Sequence, residues 1–186
     1  MAAAALDAGA DLVNDVSGGL FDPRILEVVA EGEAQLALMH MQGEPRTMQR
    51  DPRYEAVVAD VTESLRASVA RALDAGIGLD RLWVDPGIGF GKRLDDNLDL
   101  IERVHELHSL GLPLLVGVSR KSFLGTLTGV RDAHRRVLST AVAVASCVRS
   151  GAQILRVHDV AEMREALAVS TALHSRRVGQ SGGGDA

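Results

Sequence analysis

Short apolar runs alternate along the chain with longer segments in which apolar residues recur at helical spacing. The short runs lack strict alternation of apolar and polar residues, which is typical of parallel strands that are covered on both faces. They predict five strands, at Asp11–Asp15, Gln35–His40, Arg81–Asp85, Leu114–Val118 and Ile154–His158.

The segments between the predicted strands have the periodicity of amphipathic helices. From Val57 to Leu73 an apolar residue occurs at every fourth position, with charged residues in between. Gly76, Gly111 and Gly151 each lie between a predicted helix and the next strand, where a left-handed residue commonly ends a helix. The repeated order of helix, glycine and strand predicts an α/β fold with parallel strands. The predicted helices cover residues 57–73, 94–104, 133–150 and 161–172.

Two architectures are built from such units, the doubly wound sheet and the (β/α)8 barrel. Nearly every predicted strand ends in polar residues, and a barrel brings the ends of its strands together on one face. The chain also lacks the G-x-G-x-x-G motif that often opens a doubly wound sheet. We therefore expect an α/β fold that is a partial TIM (β/α)8 barrel, formed by the five C-terminal βα units of eight. This domain is expected to cover residues 1–173, followed by a disordered tail at residues 174–186.

Composition and charge restrict the partners of the protein. A net charge of -5 and an aromatic content of 3% argue against nucleic acid, which is bound by basic patches and stacking side chains. No apolar run approaches the roughly 20 residues of a membrane span, and the first residues lack the basic region of a signal peptide. Cys147 is the single cysteine, which fits a reducing compartment. We expect a cytoplasmic protein without nucleic-acid or membrane partners.

A glycine-rich segment, DPGIGFGK at residues 85–92, directly follows a predicted strand. Glycines let backbone N–H groups approach a ligand, and Asp85 at the strand end is a fixed hydrogen-bond acceptor. The same residues also fit a structural turn that Asp85 caps. The spacing differs from a Walker A loop because Lys92 is followed by Arg93 rather than by Ser or Thr. From these residues alone, both interpretations stay open.

Two further polar clusters follow the last two predicted strands. Ser119, Arg120 and Lys121 place a hydroxyl and two cations at a strand end, which suits an anionic or carbonyl-bearing ligand or a solvated basic turn. Arg156 and His158 are two positions apart and share one face of a strand. Because the helix predicted after them favours an anion at its N-terminus, this pair indicates a phosphate site.

The first two predicted strands carry weaker signals. Asn14 can both donate and accept hydrogen bonds, which matches the edge of an amide-like heterocycle, or it can begin a turn. Met39 is more typical of core packing than of a ligand contact. His134, on a predicted helix, is given no role, and Cys147 in an apolar helix is expected to be a core residue.

Five motifs together resemble the dihydropteroate synthase family of pterin-binding enzymes. They occur in that family's order and at its spacing, over nearly all of residues 2–173. Related pterin-binding methyltransferase domains share the barrel and the strand-end Asn and Asp, but they lack the SRKSF sequence. The five motifs are NDVSGG at 14–19, MHMQGEPRTMQ at 39–49, DPGIGFGK at 85–92, GVSRKSFLG at 117–125 and RVHDV at 156–160.

The resemblance implies a transferase of folate biosynthesis. Such an enzyme condenses 6-hydroxymethyl-7,8-dihydropterin diphosphate with 4-aminobenzoate to give 7,8-dihydropteroate and diphosphate. The diphosphate is expected to leave first, after which the arylamine attacks a pterin methylene cation. The family also implies Mg²⁺, a homodimer for the full-length protein and no redox cofactor. The alternative from another functional class is a non-catalytic pterin-binding paralogue.

The resemblance further implies a pterin pocket. Ionised Asp85 is expected to accept hydrogen bonds from the 2-amino group and N3–H of the ring, and Lys121 to donate to its carbonyl edge. The implied pterin-binding residues are Asn14, Met39, Asp85, Phe90 and Lys121.

Two other substrate groups are assigned by the same resemblance. Arg156 and His158 are expected to hold the leaving diphosphate, whose charge they would stabilise as the bond breaks. Ser119 and Arg120 are expected to lie near the 4-aminobenzoate. The expected catalytic residues are Lys121, Arg156 and His158.

The motifs of the family's first three strands have no counterpart in these 186 residues. An Asn that helps to bind Mg²⁺, an Asp that binds the pterin and two mobile loops belong to those strands. We therefore expect no metal ligand in this chain and no synthase activity from this chain alone. The sequence HRRVLST at residues 134–140 also departs from the family, which has a Gly-Ser or Gly-Thr pair after the arginine.

Overall fold

In residues 1–180, the part of the chain that the computed structural model describes, five strands alternate with seven α-helices. Side chains are described for residues 1–174. The strands are β1 (Leu12–Asp15), β2 (Gln35–Met39), β3 (Leu82–Asp85), β4 (Leu115–Val116) and β5 (Ile154–Leu155). The helices are α1 (Ala2–Asp7), α2 (Arg24–Ala30), α3 (Val57–Asp74), α4 (Leu94–Glu102), α5 (Ser122–Thr128), α6 (Val137–Arg149) and α7 (Val160–Gln180).

The described strands are parallel and neighbour one another in chain order. β2 pairs with β1 and with β3, so that Leu38 lies opposite Asp15 on one side and Val84 on the other. β4 pairs with β5. The two sheets adjoin where Val84 bridges to Leu114 and its N–H donates to the Pro113 carbonyl at 3.0 Å. This order directs the carboxyl ends of the strands to one side of the molecule.

The main core lies between one face of the strands and the helices. Alternate residues of a strand point to opposite faces, and the buried apolar set on the helix-facing side continues into α3 and α4. Complete burial of one such leucine stabilises the fold by about 2 kcal/mol. Cys147 of α6 belongs to this core, as predicted. The core residues of β1–β3 are Val13, Leu36, Leu38, Leu82 and Val84.

β4 and β5 are shorter than the apolar runs that predict them. The backbone of Arg156 still donates to the Val116 carbonyl at 3.0 Å. His158 N–H instead donates to the hydroxyl of Ser119 at 3.2 Å. The pairing of β4 with β5 thus ends where the Ser119 hydroxyl, rather than a backbone carbonyl, accepts the His158 N–H. The last residues of the two predicted strands therefore belong to loops at the cavity.

The predicted helix at residues 57–73 is confirmed as α3, and the three glycines expected at helix ends are all left-handed. Their φ angles are 94° at Gly76, 70° at Gly111 and 108° at Gly151. The helix predicted at residues 94–104 divides into α4 and a 3₁₀ helix, Val104–Leu110, which ends at Gly111.

The predicted helix at residues 133–150 is also divided, into a short 3₁₀ turn, Ala133–Arg135, and α6. The break lies at Arg136, whose guanidinium donates to the carbonyls of Val130 and Arg131. These hydrogen bonds hold the preceding loop against the start of α6 and fix the turn between them.

The last helix extends further than the sequence pattern predicts. α7 continues to Gln180, past residue 174, where the disordered tail is predicted to begin. The rest of that predicted tail, residues 181–186, lies outside the described residues. No helix in the described part of the chain combines the length and the apolar character that a membrane crossing needs.

Candidate functional site

A cavity of about 590 Å³ opens beside the carboxyl ends of the strands. It is formed by Val16 after β1, the ends of β2 and β3, the loops that follow β3, β4 and β5, and the turn before α6. Of the nine residues that the sequence assigns to substrates, all but Asn14 line it. These are Met39, Asp85, Phe90, Ser119, Arg120, Lys121, Arg156 and His158.

Asp85, the last residue of β3, is the one carboxylate in the described cavity lining and is buried. Gly87 N–H donates to its Oδ1 at 2.7 Å. Burial raises the pKa of Asp85 to about 6, against the Gly87 hydrogen bond and the charges of Lys121, Lys92 and Arg156. Asp85 is therefore an ionised acceptor at neutral pH that titrates in mild acid.

The loop that supplies the Gly87 amide requires glycine at this position. Gly87 has a φ of 66°, in the left-handed region that side chains disfavour. A Cβ on Gly87 would lie 1.9 Å from the carbonyl oxygen of His40. Glycine thus permits a close approach between this loop and the end of β2, which brings the amide to Asp85.

Lys121 directly precedes α5 and lines the same cavity. Its Nζ lies 3.9 Å from the centroid of the Phe90 ring, a cation–π contact. Burial lowers the pKa of Lys121, while the charge of Asp85 acts in the opposite direction. The cavity therefore holds a carboxylate and an ammonium group close to an aromatic face.

Ser119 and His158 contact each other across the ends of β4 and β5. Ser119 Oγ lies 2.9 Å from His158 Nδ1 and accepts the His158 N–H. The family resemblance predicts different substrate groups for these two residues, the 4-aminobenzoate for Ser119 and the diphosphate for His158. The geometry makes them one unit in which Ser119 holds the imidazole.

Arg120 is held by groups of the protein at the cavity rim. Its Nε donates to Asp159 Oδ2 at 3.0 Å, and Nη2 donates to the other oxygen. Its Nη1 lies 2.8 Å from Nδ1 of His134. The 4-aminobenzoate contact predicted for Arg120 would add to this existing set of partners.

Two buried titratable groups lie behind the glycine-rich loop, outside the cavity lining. Lys92 Nζ donates to the carbonyls of Gly87 at 2.9 Å and Phe90 at 3.1 Å, and it lies 3.0 Å from His40 Nδ1. Burial lowers the pKa of Lys92 to about 7. Burial and the Lys92 charge lower the pKa of His40 to about 3, so His40 is neutral.

Three more side chains hold the same loop. Asn97 Oδ1 accepts the Gly89 N–H at 2.6 Å, and Gln49 Nε2 donates to the Gly89 carbonyl at 2.7 Å. The hydroxyl of Tyr54 donates to the Gly91 carbonyl at 2.7 Å. These side chains thus form hydrogen bonds with backbone N–H and carbonyl groups of a loop that belongs to neither a sheet nor a helix.

Asn14 lies outside the cavity lining, and its side chain is exposed. In the sheet it pairs with Ala37, two residues before Met39, which pairs with Asp85. Asn14 therefore shares a sheet face with Met39 but lies about 7 Å further from the strand ends. Val16, two residues further along the chain, lines the cavity instead. The pterin contact of Asn14 stays a prediction.

A family sequence profile described as "Pterin binding enzyme" matches residues 1–158, a range that contains every residue of the cavity lining. The chain belongs to this pterin binding enzyme family. The five motifs of the sequence all lie within or at the edge of the matched range, so the resemblance to that family is confirmed.

This chain is similar to proteins named dihydropteroate synthase. It is 45% identical to the one from Escherichia coli K12 over 169 residues, which cover 91% of this chain and 59% of the relative. The alignment falls in the C-terminal part of the curated relatives. The chain thus spans about three fifths of the length of the curated relatives it matches.

Two solved structures are similar to this chain in fold and sequence. The first is dihydropteroate synthase from Stenotrophomonas maltophilia with imidazole bound in its active site (TM-score 0.89, 41% identity, 93% of this chain and 65% of that chain). The second, from Thermus thermophilus in complex with 4-aminobenzoate, has a TM-score of 0.86 and 45% identity and covers 93% of this chain and 70% of that chain. The same Thermus protein is also solved in complex with 6HMPPP.

The described residues of this chain do not fit a Mg²⁺ site. Mg²⁺ in proteins prefers oxygen ligands and is usually held by one or two carboxylates with substrate phosphates. Among the described residues no group of three or more His, Cys, Asp or Glu side chains is arranged to hold a metal. The single carboxylate of the cavity, Asp85, already faces Lys121, Lys92 and Arg156.

Several residues of the candidate site are not predicted from the sequence. His134 lines the cavity although the sequence analysis gives it no role, because its contact with Arg120 depends on the turn before α6. Lys92 is noted there only for its spacing. The composition does distinguish Lys92, since Lys92 and Lys121 are the two lysines among the chain's 20 Lys and Arg residues. Lys92 is buried and Lys121 is partly buried at the site.

Proposed function

We propose that the protein that carries this chain is a dihydropteroate synthase, a transferase of folate biosynthesis. It would condense 6-hydroxymethyl-7,8-dihydropterin diphosphate with 4-aminobenzoate to give 7,8-dihydropteroate and diphosphate. The observation that carries this proposal is one cavity that combines a buried carboxylate, Asp85, with the cationic side chains Lys121 and Arg156. A pterin diphosphate offers matching groups, an amine and N–H edge at one end and an anion at the other.

The pterin would bind at the Asp85 end of the cavity. Ionised Asp85 accepts hydrogen bonds, and its ring-edge partners, the 2-amino group and N3–H, are donors. Lys121 would donate to the pterin carbonyl, and Met39 and Phe90 would contact the ring. A pterin in this position would supply hydrogen-bond donors to a carboxylate that burial has already desolvated.

The diphosphate would lie against Arg156 and His158. The bond between the pterin methylene carbon and the diphosphate oxygen breaks, and the electron pair leaves with that oxygen. The amine of 4-aminobenzoate then donates its lone pair to the methylene carbon and loses a proton. Arg156 stabilises the developing anion, while Ser119 holds His158 in place through its hydroxyl.

The 4-aminobenzoate would approach from the side of Ser119 and Arg120, which face the cavity. The Thermus relative binds this compound, which supports the same substrate for this chain. Mg²⁺ is proposed only as an ion that accompanies the diphosphate, because the described residues do not fit a resident site.

We also propose that the five βα units belong to a (β/α)8 barrel. Their strands neighbour one another in chain order with no reversal among the described residues, as in a barrel and unlike a doubly wound sheet. The similarity to dihydropteroate synthase structures supports this architecture. For the 186-residue polypeptide alone we propose that it lacks synthase activity, and a cytoplasmic location is proposed for the protein.

A homodimer is proposed on an apolar surface of α6 and α7. Large apolar side chains are exposed there, and clusters of this kind often mark contacts between proteins. Light scattering on purified protein would give a dimer mass, and Val142→Glu would shift it toward the monomer. The exposed apolar residues are Leu138, Val142, Val169 and Leu173.

The competing function is a non-catalytic pterin-binding paralogue. Calorimetry with a pterin diphosphate and a product assay, both on the product of the complete open reading frame, separate the two. Binding with dihydropteroate formation supports the synthase, and binding without product supports the paralogue. Absence of both contradicts the proposed function. A methyltransferase domain is disfavoured by the Ser119, Arg120 and Lys121 cluster.

A further inference from the structure

Lys92 is the most deeply buried cation near the site, with 3% of its surface exposed, yet it does not line the cavity. Its ammonium group has three N–H donors, and three acceptors surround it: the carbonyls of Gly87 and Phe90 and Nδ1 of His40. Every donor is thus matched, which compensates for the cost of burying a polar group.

The two carbonyls that Lys92 holds belong to residues that themselves contact the proposed pterin-binding groups. Gly87 donates its N–H to Asp85, so Lys92 fixes the residue that orients the carboxylate. Phe90 presents its ring to the ammonium group of Lys121, so Lys92 also fixes the ring over which that cation lies. One buried group therefore lies behind both polar ends of the pterin pocket.

We propose that Lys92 is a positioning residue for Asp85 and Lys121, and that its charge keeps the Asp85 carboxylate ionised for pterin recognition. The proposal rests on the proposed function for the identity of the ligand. The hydrogen bonds fix the loop geometry, and the positive charge behind the loop stabilises the ionised form of Asp85. Lys92 itself touches no substrate.

The choice of lysine is consistent with this role. Lysine concentrates its charge and its three donors on one atom, whereas arginine spreads them over a planar fork. A compact ammonium group matches three acceptors that converge on one point. The chain has two lysines among its 20 basic residues, and the other, Lys121, is the proposed pterin ligand.

The electrostatic surroundings of this pair are defined. His40 at the end of β2, Asp96 of α4 and Lys121 before α5 face Lys92, together with Asp85. Lys121, Lys92 and Arg156 face Asp85. His40 is neutral and supplies only an acceptor, so the charge that acts on Asp85 from behind the loop is that of Lys92.

The test is an NMR titration of Asp85 in the product of the complete open reading frame, without ligand. The carbon of the Asp85 carboxyl group, assigned by its absence in Asp85→Asn, is followed from pH 4 to 9. Lys92→Gln removes the charge and keeps two donors, and Lys92→Met removes both. We expect each variant to raise the Asp85 pKa by about one unit. Arg103→Met, which removes a surface cation paired with Glu106, is the matched control and should leave the pKa unchanged.

A reciprocal measurement keeps the test decisive if a Lys92 variant fails to fold. Selective labelling of the lysine side chains gives the Lys92 signal, which is assigned by its absence in Lys92→Gln, and Asp85→Asn should lower the Lys92 midpoint by the same amount. An unchanged midpoint for Asp85 in a folded Lys92 variant, or for Lys92 in Asp85→Asn, would overturn the proposal. A merely structural lysine would change the melting temperature without moving either midpoint.

Pterin binding separates this proposal from the proposed function. The folded Lys92→Gln variant should still bind 6-hydroxymethylpterin. The pH at which this binding is half lost in acid should rise by the same amount as the Asp85 pKa. If the unsubstituted protein binds no pterin, the proposed function fails, while the NMR coupling between Lys92 and Asp85 still decides the charge relationship. If it binds pterin and the midpoint does not move in Lys92→Gln, the positioning role of Lys92 is wrong.

Discussion

Arg120 and Asp159 form a bidentate ion pair that joins the loop after β4 to the loop after β5. The guanidinium Nε donates to Asp159 Oδ2 at 3.0 Å, and Nη2 donates to Oδ1. Arg120 has a φ of 59°, and no other non-glycine residue among those described has a positive φ. The pair therefore holds a left-handed backbone between Ser119 and Lys121, which both line the cavity.

Asp159→Asn should weaken the site without unfolding the protein. The substitution removes the charge that orients Arg120, so Ser119 and Lys121 lose part of their fixed geometry. A partly exposed ion pair contributes modestly, and we expect a loss of roughly fivefold in kcat/KM for dihydropteroate formation. A loss beyond a hundredfold would mean that Asp159 takes part in the chemistry itself. Asp51→Asn, at an exposed ion pair with Arg53, is the control.

Asp85→Asn should abolish most of the pterin affinity. The amide leaves one acceptor and places a donor opposite ring donors, so a charge-assisted pair in a buried site is lost. The expected cost is about 2–4 kcal/mol of binding free energy, measured by calorimetry with a pterin diphosphate. An affinity within twofold of the original would remove Asp85 from the pterin site.

Arg156→Ala should affect the diphosphate rather than the ring. Loss of a charged donor is expected to reduce affinity for the pterin diphosphate by roughly tenfold to a hundredfold. Affinity for 6-hydroxymethylpterin, which has no phosphates, should barely change in the same calorimetric experiment. Equal losses for both ligands would place Arg156 at the ring.

Pterin affinity should fall in mild acid because burial raises the pKa of Asp85 to about 6. The ionised carboxylate is the binding form, so the contribution is complete well above pH 6 and is lost as the pH falls through that value. Below it, the affinity should drop by about tenfold for each pH unit. At each pH, the affinity of the unsubstituted protein is divided by that of Asp85→Asn. Because the ligand titrates equally in both measurements, its own titration cancels in this ratio. A ratio that stays constant between pH 5 and 8 would contradict this assignment.

Gly87→Ala should be far more damaging than an alanine at another left-handed glycine. Gly111 has nearly the same φ, 70° against 66°, but no atom lies within 4 Å of a Cβ built on it. Gly111→Ala should thus cost only the backbone strain of about 1–2 kcal/mol, measured by chemical unfolding. Gly87→Ala adds the clash with the His40 carbonyl, and it should lower both stability and pterin affinity. Equal costs for the two variants would show that the loop moves freely away from β2.

The strands and the cavity could be predicted from sequence because both depend on local patterns. The polar residues that end apolar runs, such as Asp85 and Arg156, are brought together by any parallel arrangement of those strands. The exact strand ends could not be predicted, because β5 stops where the Ser119 hydroxyl replaces a backbone acceptor. That replacement is a contact between residues far apart in the chain.

Asn14 and Lys92 show two other limits of prediction from sequence. Asn14 ends an apolar run as Asp85 does, but the register of β1 against β2 keeps it two residues short of the level of Met39. A pattern along one strand does not contain this stagger. The role proposed for Lys92 depends on its contacts with the backbone carbonyls of a folded loop. Residue types in the sequence do not indicate such contacts.

The glycine-rich loop has its shape before any ligand arrives, since Lys92, Asn97 and Gln49 hold it through its own backbone. Little conformational entropy is then lost on this side of the cavity during association. The association rate should follow diffusion and the charge of the ligand rather than the closing of a loop. The amide protons of Gly87 and Gly89, both bonded to side chains, should exchange slowly with solvent even in the free protein. This wall of the cavity thus acts as a rigid template for small, flat, hydrogen-bonding fragments.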